Sequence, residues 1–212
     1  MVGYTGRYSP LCIIVLSISQ EKAFSSRKAG GTLWEGDELV LRFLVEDGKV
    51  NLCLRLVRDY LSFLDELEST GRELTAEESA VSARFERAAG VLLGNAWEHP
   101  EALQTSDLPL LVETTTSMAR HSDPSVALEE SLGGGALRFA HALGKNCEEV
   151  IGERLFEELL RRRTFDAIVR VAGDAASHDD ASPDSKHILL CGLEGLAQLV
   201  DSEEFQTRKV RP

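Results

Sequence analysis

The sequence is poor in aromatic residues and in basic charge. Phe, Trp and Tyr make up 6% of the 212 residues, and the abundance of Leu, Ala and Glu favours helix. The 23 basic and 35 acidic residues leave a formal net charge of −12. Most of such a surface repels a phosphate backbone, so we expect no nucleic-acid binding. The run Arg161–Arg163 is interpreted as basic residues that complement a helix C-terminus rather than as a phosphate site.

Common motifs of catalysis and ligand binding are also missing. There is no GxxxxGK[ST] phosphate loop, no GxSxG elbow and no HExxH pair. The cysteines form no CxxC spacing, which favours reduced thiols in an intracellular protein over a metal or disulfide framework. They are Cys12, Cys53, Cys147 and Cys191. We therefore expect a protein without enzymatic activity, cofactor or bound metal.

The N-terminal part of the chain allows two interpretations. The apolar run "YSPLCIIVLSIS", residues 8–19, is far shorter than a membrane span, so no integral span is predicted. Residues 1–35 are either a targeting segment of the secretory or plastid type, or a cap on the end of the fold. The first alternative implies an organelle, and the second, which we favour, implies the cytoplasm. Residues 206–212 are interpreted as a tail.

Between residues 36 and 205 the apolar residues recur with helical period. The pattern predicts eight or nine helices and almost no sheet, because the one β-branched run lies in the N-terminal extension. Trp97 lies at a helix end and is predicted to pack in the core rather than to form a binding platform. The fold class predicted for this domain is therefore all-α.

Helix boundaries are predicted from capping residues and glycines. Thr75 and Glu78 have the spacing of a capping box at the start of one helix. Ser106 or Asp107 is expected to cap a later helix. Gly133–Gly135 are three consecutive glycines, and we expect them to divide one apolar stretch into a short helix and a long one.

One kind of corner recurs along the chain. It is an apolar helix end followed by polar, acidic residues, as in "LGNAWEHPEAL" (93–103). The helices after these corners begin near residues 50, 107 and 164, so they recur about every 57 residues. A regular period of this length is typical of a stacked solenoid, in which each unit buries its faces against its neighbours.

Residues 90–126, "GVLLGNAWEHPEALQTSDLPLLVETTTSMARHSDPSV", resemble the armadillo repeat. In that family a third helix ends in an Asn-containing stretch of small residues, a polar corner follows, and the next helix opens with LPxLV. The resemblance covers about residues 37–205, although the period is longer than the ~40–47 residues typical of such units. It implies a right-handed α-solenoid of about three to four armadillo-like repeats in a domain at 36–205.

The same alignment gives a candidate binding surface. It places Arg42, Asn95, His141 and Gln198 at equivalent positions of successive units. In armadillo proteins such as the nuclear-import receptors, an asparagine on the third helix faces the concave groove and holds the backbone of an extended peptide. The resemblance thus implies that these four residues line a protein-binding groove, and the acidic surface would suit a basic partner. The alternative is four unrelated polar residues that face solvent.

The sequence therefore favours a non-enzymatic interaction module or scaffold that binds a protein or an extended peptide. The resemblance also allows a regulator, such as a chaperone exchange factor or a nucleotide-exchange factor for small GTPases. The competing hypothesis is an enzyme whose site lies near Gly133–Gly135 or in the loop His178–His187, which is rich in histidine and aspartate. That loop has no EF-hand spacing, so no metal site is predicted there. The oligomeric state is left open.

Overall fold

The computed structural model describes residues 49–97, 99–146, 153–178 and 181–202. All of the regular elements in these residues are helical, which confirms the all-α class. The α-helices are α1 (Val50–Thr70), α2 (Ala76–Ala96), α3 (Pro100–Thr105), α4 (Leu108–Arg120), α5 (Leu132–Lys145), α6 (Glu153–Arg161), α7 (Thr164–Ala176) and α8 (Pro183–Asp201). A 3₁₀ turn, Leu128–Glu130, precedes α5. The predicted N-terminal extension, the first part of the predicted helical domain (36–48) and the predicted tail lie outside the described residues.

The predicted helix caps are confirmed at two helix starts. At α2, the Glu78 amide donates to Thr75 Oγ1 at 3.2 Å, and the Thr75 amide donates to Glu78 Oε2 at 3.0 Å. At α4 the cap is Asp107, whose carboxylate accepts a hydrogen bond from the Leu110 amide at 3.1 Å. Each contact satisfies an amide that has no partner inside the helix, so local sequence determines where these helices begin.

The polar corner before α4 differs from the prediction, because it contains the helix α3. Pro100 stands in the first turn, where its fixed φ angle suits a helix and its missing amide hydrogen is not needed. Ala102 and Leu103 are fully buried. A helix of six residues is not stable by propensity alone, so burial of these two side chains explains why the corner is helical.

The prediction for Gly133–Gly135 is wrong. These glycines do not separate two helices but form the first turn of α5, where Ser131 Oγ accepts a hydrogen bond from the Gly134 amide at 3.0 Å. The chain changes direction before Ser131. A Cβ atom on Gly134 would overlap the carbonyl group of Leu128. Close approach of neighbouring atoms, rather than helix termination, therefore explains the glycines.

The helices lie in two rows. In the first row α4 lies between α1 and α7, and in the second row α5 lies between α2 and α8. The rows face each other, since α1 contacts α2, α4 contacts α5, and α7 contacts α8. The short helix α6 packs against α4 and α7. The most extensive contacts of α5 are those with α8 and α2, and nearly all of its side chains are buried.

A single hydrophobic core fills the space between the rows. Trp97 is 1% exposed and makes an edge-to-face contact with Phe139, with the ring centroids 5.6 Å apart. The prediction that Trp97 packs in the core is therefore confirmed. Within the described residues, no helix combines the length and the apolar character that crossing a membrane requires.

Candidate binding surface

Among the described residues, the second row has polar side chains on a side that no helix covers. The helix α5 packs against α2, α4, α7 and α8, and only three of its side chains remain accessible in this part of the chain. These are Arg138, His141 and Lys145, whose spacing of three and four residues places them on one side of the helix. The equivalent residues of α8 are His187, Cys191, Glu194 and Gln198. We call these seven residues, together with Arg84 and Arg87 of α2, the outer face.

Two of the residues predicted for the groove meet the neighbouring helix on this outer face. His141 Nδ1 lies 3.1 Å from the carbonyl oxygen of Cys191, so the ring must donate its Nδ1 proton to α8. In the neutral ring this leaves Nε2 as a hydrogen-bond acceptor. The Gln198 amide lies over Gly144 of α5, as the distance of 2.9 Å between Gln198 Oε1 and a Cβ atom placed on Gly144 shows. The structure thus places His141 and Gln198 on adjacent helices.

The other two predicted residues are less fully described. Asn95 lies in the last turn of α2, the helix on the opposite side of α5 from α8, but its side chain is outside the described part of the structure. Arg42 lies outside the described residues altogether. The equivalence of all four positions therefore stays a prediction.

Arginines on α2 and α5 extend the outer face away from α8. The aliphatic part of Arg138 crosses from α5 to Gly94 of α2. The distance shows this: a Cβ atom on Gly94 would lie 2.7 Å from Arg138 Cδ. Arg84 is exposed, and Arg87 forms an ion pair with Glu130 at 2.7 Å. Spacing of three residues places both arginines on one side of α2.

The charge of the outer face is opposite to that of the whole chain. The face has four basic residues and one acidic residue of its own, plus the carboxylate of Glu130 that pairs with Arg87. The whole sequence has a formal net charge of −12. Sequence reasoning missed this local excess because the basic residues come from two helices, α2 and α5, that are distant in sequence.

A second polar surface lies on the first row. A shallow cleft of about 200 Å³ opens between the last turns of α4 and the turn that joins α6 to α7. Its lining residues are Glu113, Thr116, Ser117, Arg120, Arg161, Arg162 and Arg163. The sequence interpretation assigned the last three arginines to a helix end. It could not place Arg120 beside them, because only the contact between α4 and α6 brings them together.

The two regions considered for an enzyme site stay untested. A Cβ atom on any of Gly133–Gly135 would lie within 3 Å of a neighbouring atom, so the three glycines are closely packed. In the loop His178–His187, residues 179 and 180 are outside the described residues. Across the described part of the chain, no group of three His, Cys, Asp or Glu side chains is arranged to hold a metal ion. His187 instead lies 3.7 Å from the thiol of Cys191, one helical turn away.

Comparison with known proteins finds no match to a family model, to a curated protein or to a solved structure. Only the geometry of the chain itself therefore bears on its function.

Proposed function

We propose that the protein is a non-enzymatic interaction module, an armadillo-like α-solenoid that binds a protein segment along the outer face of the second row. The observation that supports this most strongly is the order of the helices. The pairs α1–α2, α4–α5 and α7–α8 follow one another in the same order in both rows, as repeated units of a solenoid do. The short helices α3 and α6 precede the second and third pairs, which gives units of three helices like those of armadillo repeats.

The spacing of the second row suits an extended peptide. Packed helices lie about 8–10 Å apart, and an extended chain rises about 3.3 Å per residue. A peptide that crosses α2, α5 and α8 would therefore meet a new helix about every third residue. Such a peptide has backbone donors and acceptors at regular intervals. His141 Nε2 and the Gln198 amide provide an acceptor and a donor–acceptor pair on neighbouring helices.

The charge of the outer face favours an acidic segment, not the basic partner that the net charge suggests. Charges farther away than about 8 Å are largely screened at physiological ionic strength, so residues at the contact determine the preference. Arg84 and Lys145 are exposed and would face the bound segment. An acidic partner would be attracted by them despite the negative charge of the rest of the surface.

The test is a double substitution, His141→Ala with Gln198→Ala, compared with a control variant, Gln104→Ala. Gln104 is an exposed glutamine on α3, outside the second row. The partner would be captured from a native extract by photo-crosslinking through a probe attached near Lys145. We expect the double variant to keep its thermal midpoint and to lose the captured protein, whereas the control keeps both. Unchanged capture by the double variant would show that the outer face is not the binding surface.

Charge reversal tests the preference for an acidic segment. Lys145→Glu should weaken binding of a fluorescent peptide of alternating Glu and Gly by about tenfold, since it replaces an attraction with a repulsion. A matched Lys/Gly peptide should bind no better than background to the wild-type protein. Preferential binding of the Lys/Gly peptide would contradict the assignment.

A further inference from the structure

Three of the four arginines of the first-row cleft are held in position by ion pairs or hydrogen bonds. Arg162 lies between two carboxylates, 3.1 Å from Glu113 and 3.5 Å from Glu158. Arg161 pairs with Glu158 at 2.6 Å. The guanidinium group of Arg120 donates to the carbonyl oxygen of Arg162 at 3.3 Å. These contacts bring guanidinium groups from α4 and from the end of α6 to one cleft.

The cleft has an excess of positive charge. Four arginines line it, and within the described ranges two carboxylates, those of Glu113 and Glu158, form ion pairs with them, which leaves an excess of two positive charges. Hydrogen bonding from Arg161 holds the pKa of the Glu158 carboxyl below its usual range, so Glu158 is ionised at neutral pH. Ser117 adds a hydroxyl group to the lining. The excess is therefore a property of the cleft under ordinary conditions.

The backbone at Arg163 is unfavourable for an arginine. Its φ angle of 56° is in the left-handed region, and no other non-glycine residue of the described ranges has a positive φ. This conformation costs an ordinary residue roughly 1–2 kcal/mol, whereas glycine adopts it freely. Arg163 precedes α7 without capping it through its side chain, and that side chain is exposed. Neither local structure nor burial explains why an arginine occupies this position.

We propose that this cleft binds a phosphate monoester dianion through Arg120, Arg161 and Arg163. The charge of the ligand matches the excess charge of the lining. Guanidinium groups donate paired hydrogen bonds to phosphate oxygens. The N-terminus of α7, whose first backbone amides favour an anion, lies next to Arg163. Nucleic acid does not fit, since the strongly acidic remainder of the protein repels a polyanion. The site lies on the first row and does not depend on the function proposed for the second.

The phosphate group that binds the cleft could belong to a phosphorylated protein or to a small phosphate, and titration separates these two sources. The wild-type protein would be titrated separately with four ligands: inorganic phosphate, a short phosphoserine peptide, the unphosphorylated form of that peptide, and succinate. Binding would be followed by the changes in the amide chemical shifts of the protein in NMR spectra. We expect both phosphates to shift residues 117–120 and 161–165 in a saturable way. Tighter binding of the peptide would identify a phosphorylated protein as the source, and equal binding would identify a small phosphate. Equal binding of succinate, or no saturable shift, would overturn the proposal.

Substitution at Arg163 separates binding from folding. Arg163→Gly removes a guanidinium group and relieves the backbone, so stability should be unchanged or higher while phosphate affinity falls about tenfold. Arg161→Gln should also weaken binding, and Arg58→Gln is the control, because Arg58 lies on α1 outside the cleft lining and pairs with Asp59. Wild-type affinity in both cleft variants would refute the assignment.

Discussion

The two rows hold their helices together by different kinds of contact. In the second row, α5 and α8 approach through glycines. A Cβ atom on Gly195 would overlap the backbone of Ala140 and His141, and one on Gly144 would overlap the backbone of Gly195. The α2–α5 contact is similar, since a Cβ atom on Gly90 would overlap the carbonyl group of Ser131.

In the first row, side-chain hydrogen bonds join the helices. The Thr116 and Thr164 hydroxyls, on α4 and α7, are 2.7 Å apart and buried. Arg170 of α7 donates to the carbonyl oxygens of Ala119 and Arg120 at the end of α4, at 2.8 and 2.9 Å. The difference indicates that the second row depends on the absence of side chains, whereas the first row depends on their polar groups. The rows should therefore respond differently to substitution.

The largest effect is expected from Gly195→Ala. The new methyl group would overlap backbone atoms of α5, which cannot move aside as a flexible side chain can. We expect a loss of about 3 kcal/mol in the free energy of unfolding, measured by urea denaturation. The control is Gly173→Ala on α7, where a Cβ atom would meet nothing within 4 Å. This substitution should stabilise the helix by about 0.5–1 kcal/mol. Equal effects of the two substitutions would contradict the close approach of α5 and α8.

The next effect is expected from Thr116→Val in the first row. The substitution leaves the buried hydroxyl of Thr164 without this partner, which should cost about 2 kcal/mol. Adding Thr164→Val removes the second polar group as well, so the double variant should recover part of the loss. Strict additivity of the two single effects would show that the hydroxyls do not stabilise the α4–α7 contact.

The smallest effect is expected from Glu129→Gln, in the 3₁₀ turn before α5, where the Glu129 carboxylate accepts hydrogen bonds from the start of α8. Burial raises the pKa of the Glu129 carboxyl, but hydrogen bonds from Ser185 and Ser182 outweigh it and leave the pKa lowered. A lowered pKa stabilises the fold above the unfolded-state pKa, and this stabilisation is lost as pH falls through the folded-state pKa. Because the site is partly solvated, we expect a difference below about 1 kcal/mol at pH 7. Urea denaturation at pH 7 and at pH 3 should show the difference shrinking in acid, and a constant difference would argue against the linkage.

The sequence predicted those features that depend on near neighbours in the chain. The helices that begin at Val50, Leu108 and Thr164 start within a residue of the predicted positions, because apolar spacing is a local signal, and at Leu108 the Asp107 cap adds to it. The capping box of α2 was predictable for the same reason.

The features that depend on distant residues were not predictable. Gly133–Gly135 look like a helix break until their neighbours are known, because the atoms that exclude a side chain come from other parts of the chain. The arginine cleft combines α4 with the end of α6, and no local pattern reports that contact. For the outer face, the alignment selected His141 and Gln198, whereas Arg138 and Lys145 needed the arrangement of the helices to be noticed.

The contact at Gly144 and Gly195 also affects how the outer face can move. Two helices that interlock through long side chains must change rotamers before they can slide, whereas at Gly144 and Gly195 the backbones meet directly, and the Leu137 side chain and the His141 hydrogen bond resist such a movement. Small shear movements of α8 along α5 would change the curvature of the outer face and carry the Gln198 amide past the ring of His141. If the outer face binds an acidic segment as proposed, a longer or shorter segment would then require elastic adjustment of one contact rather than repacking of the core.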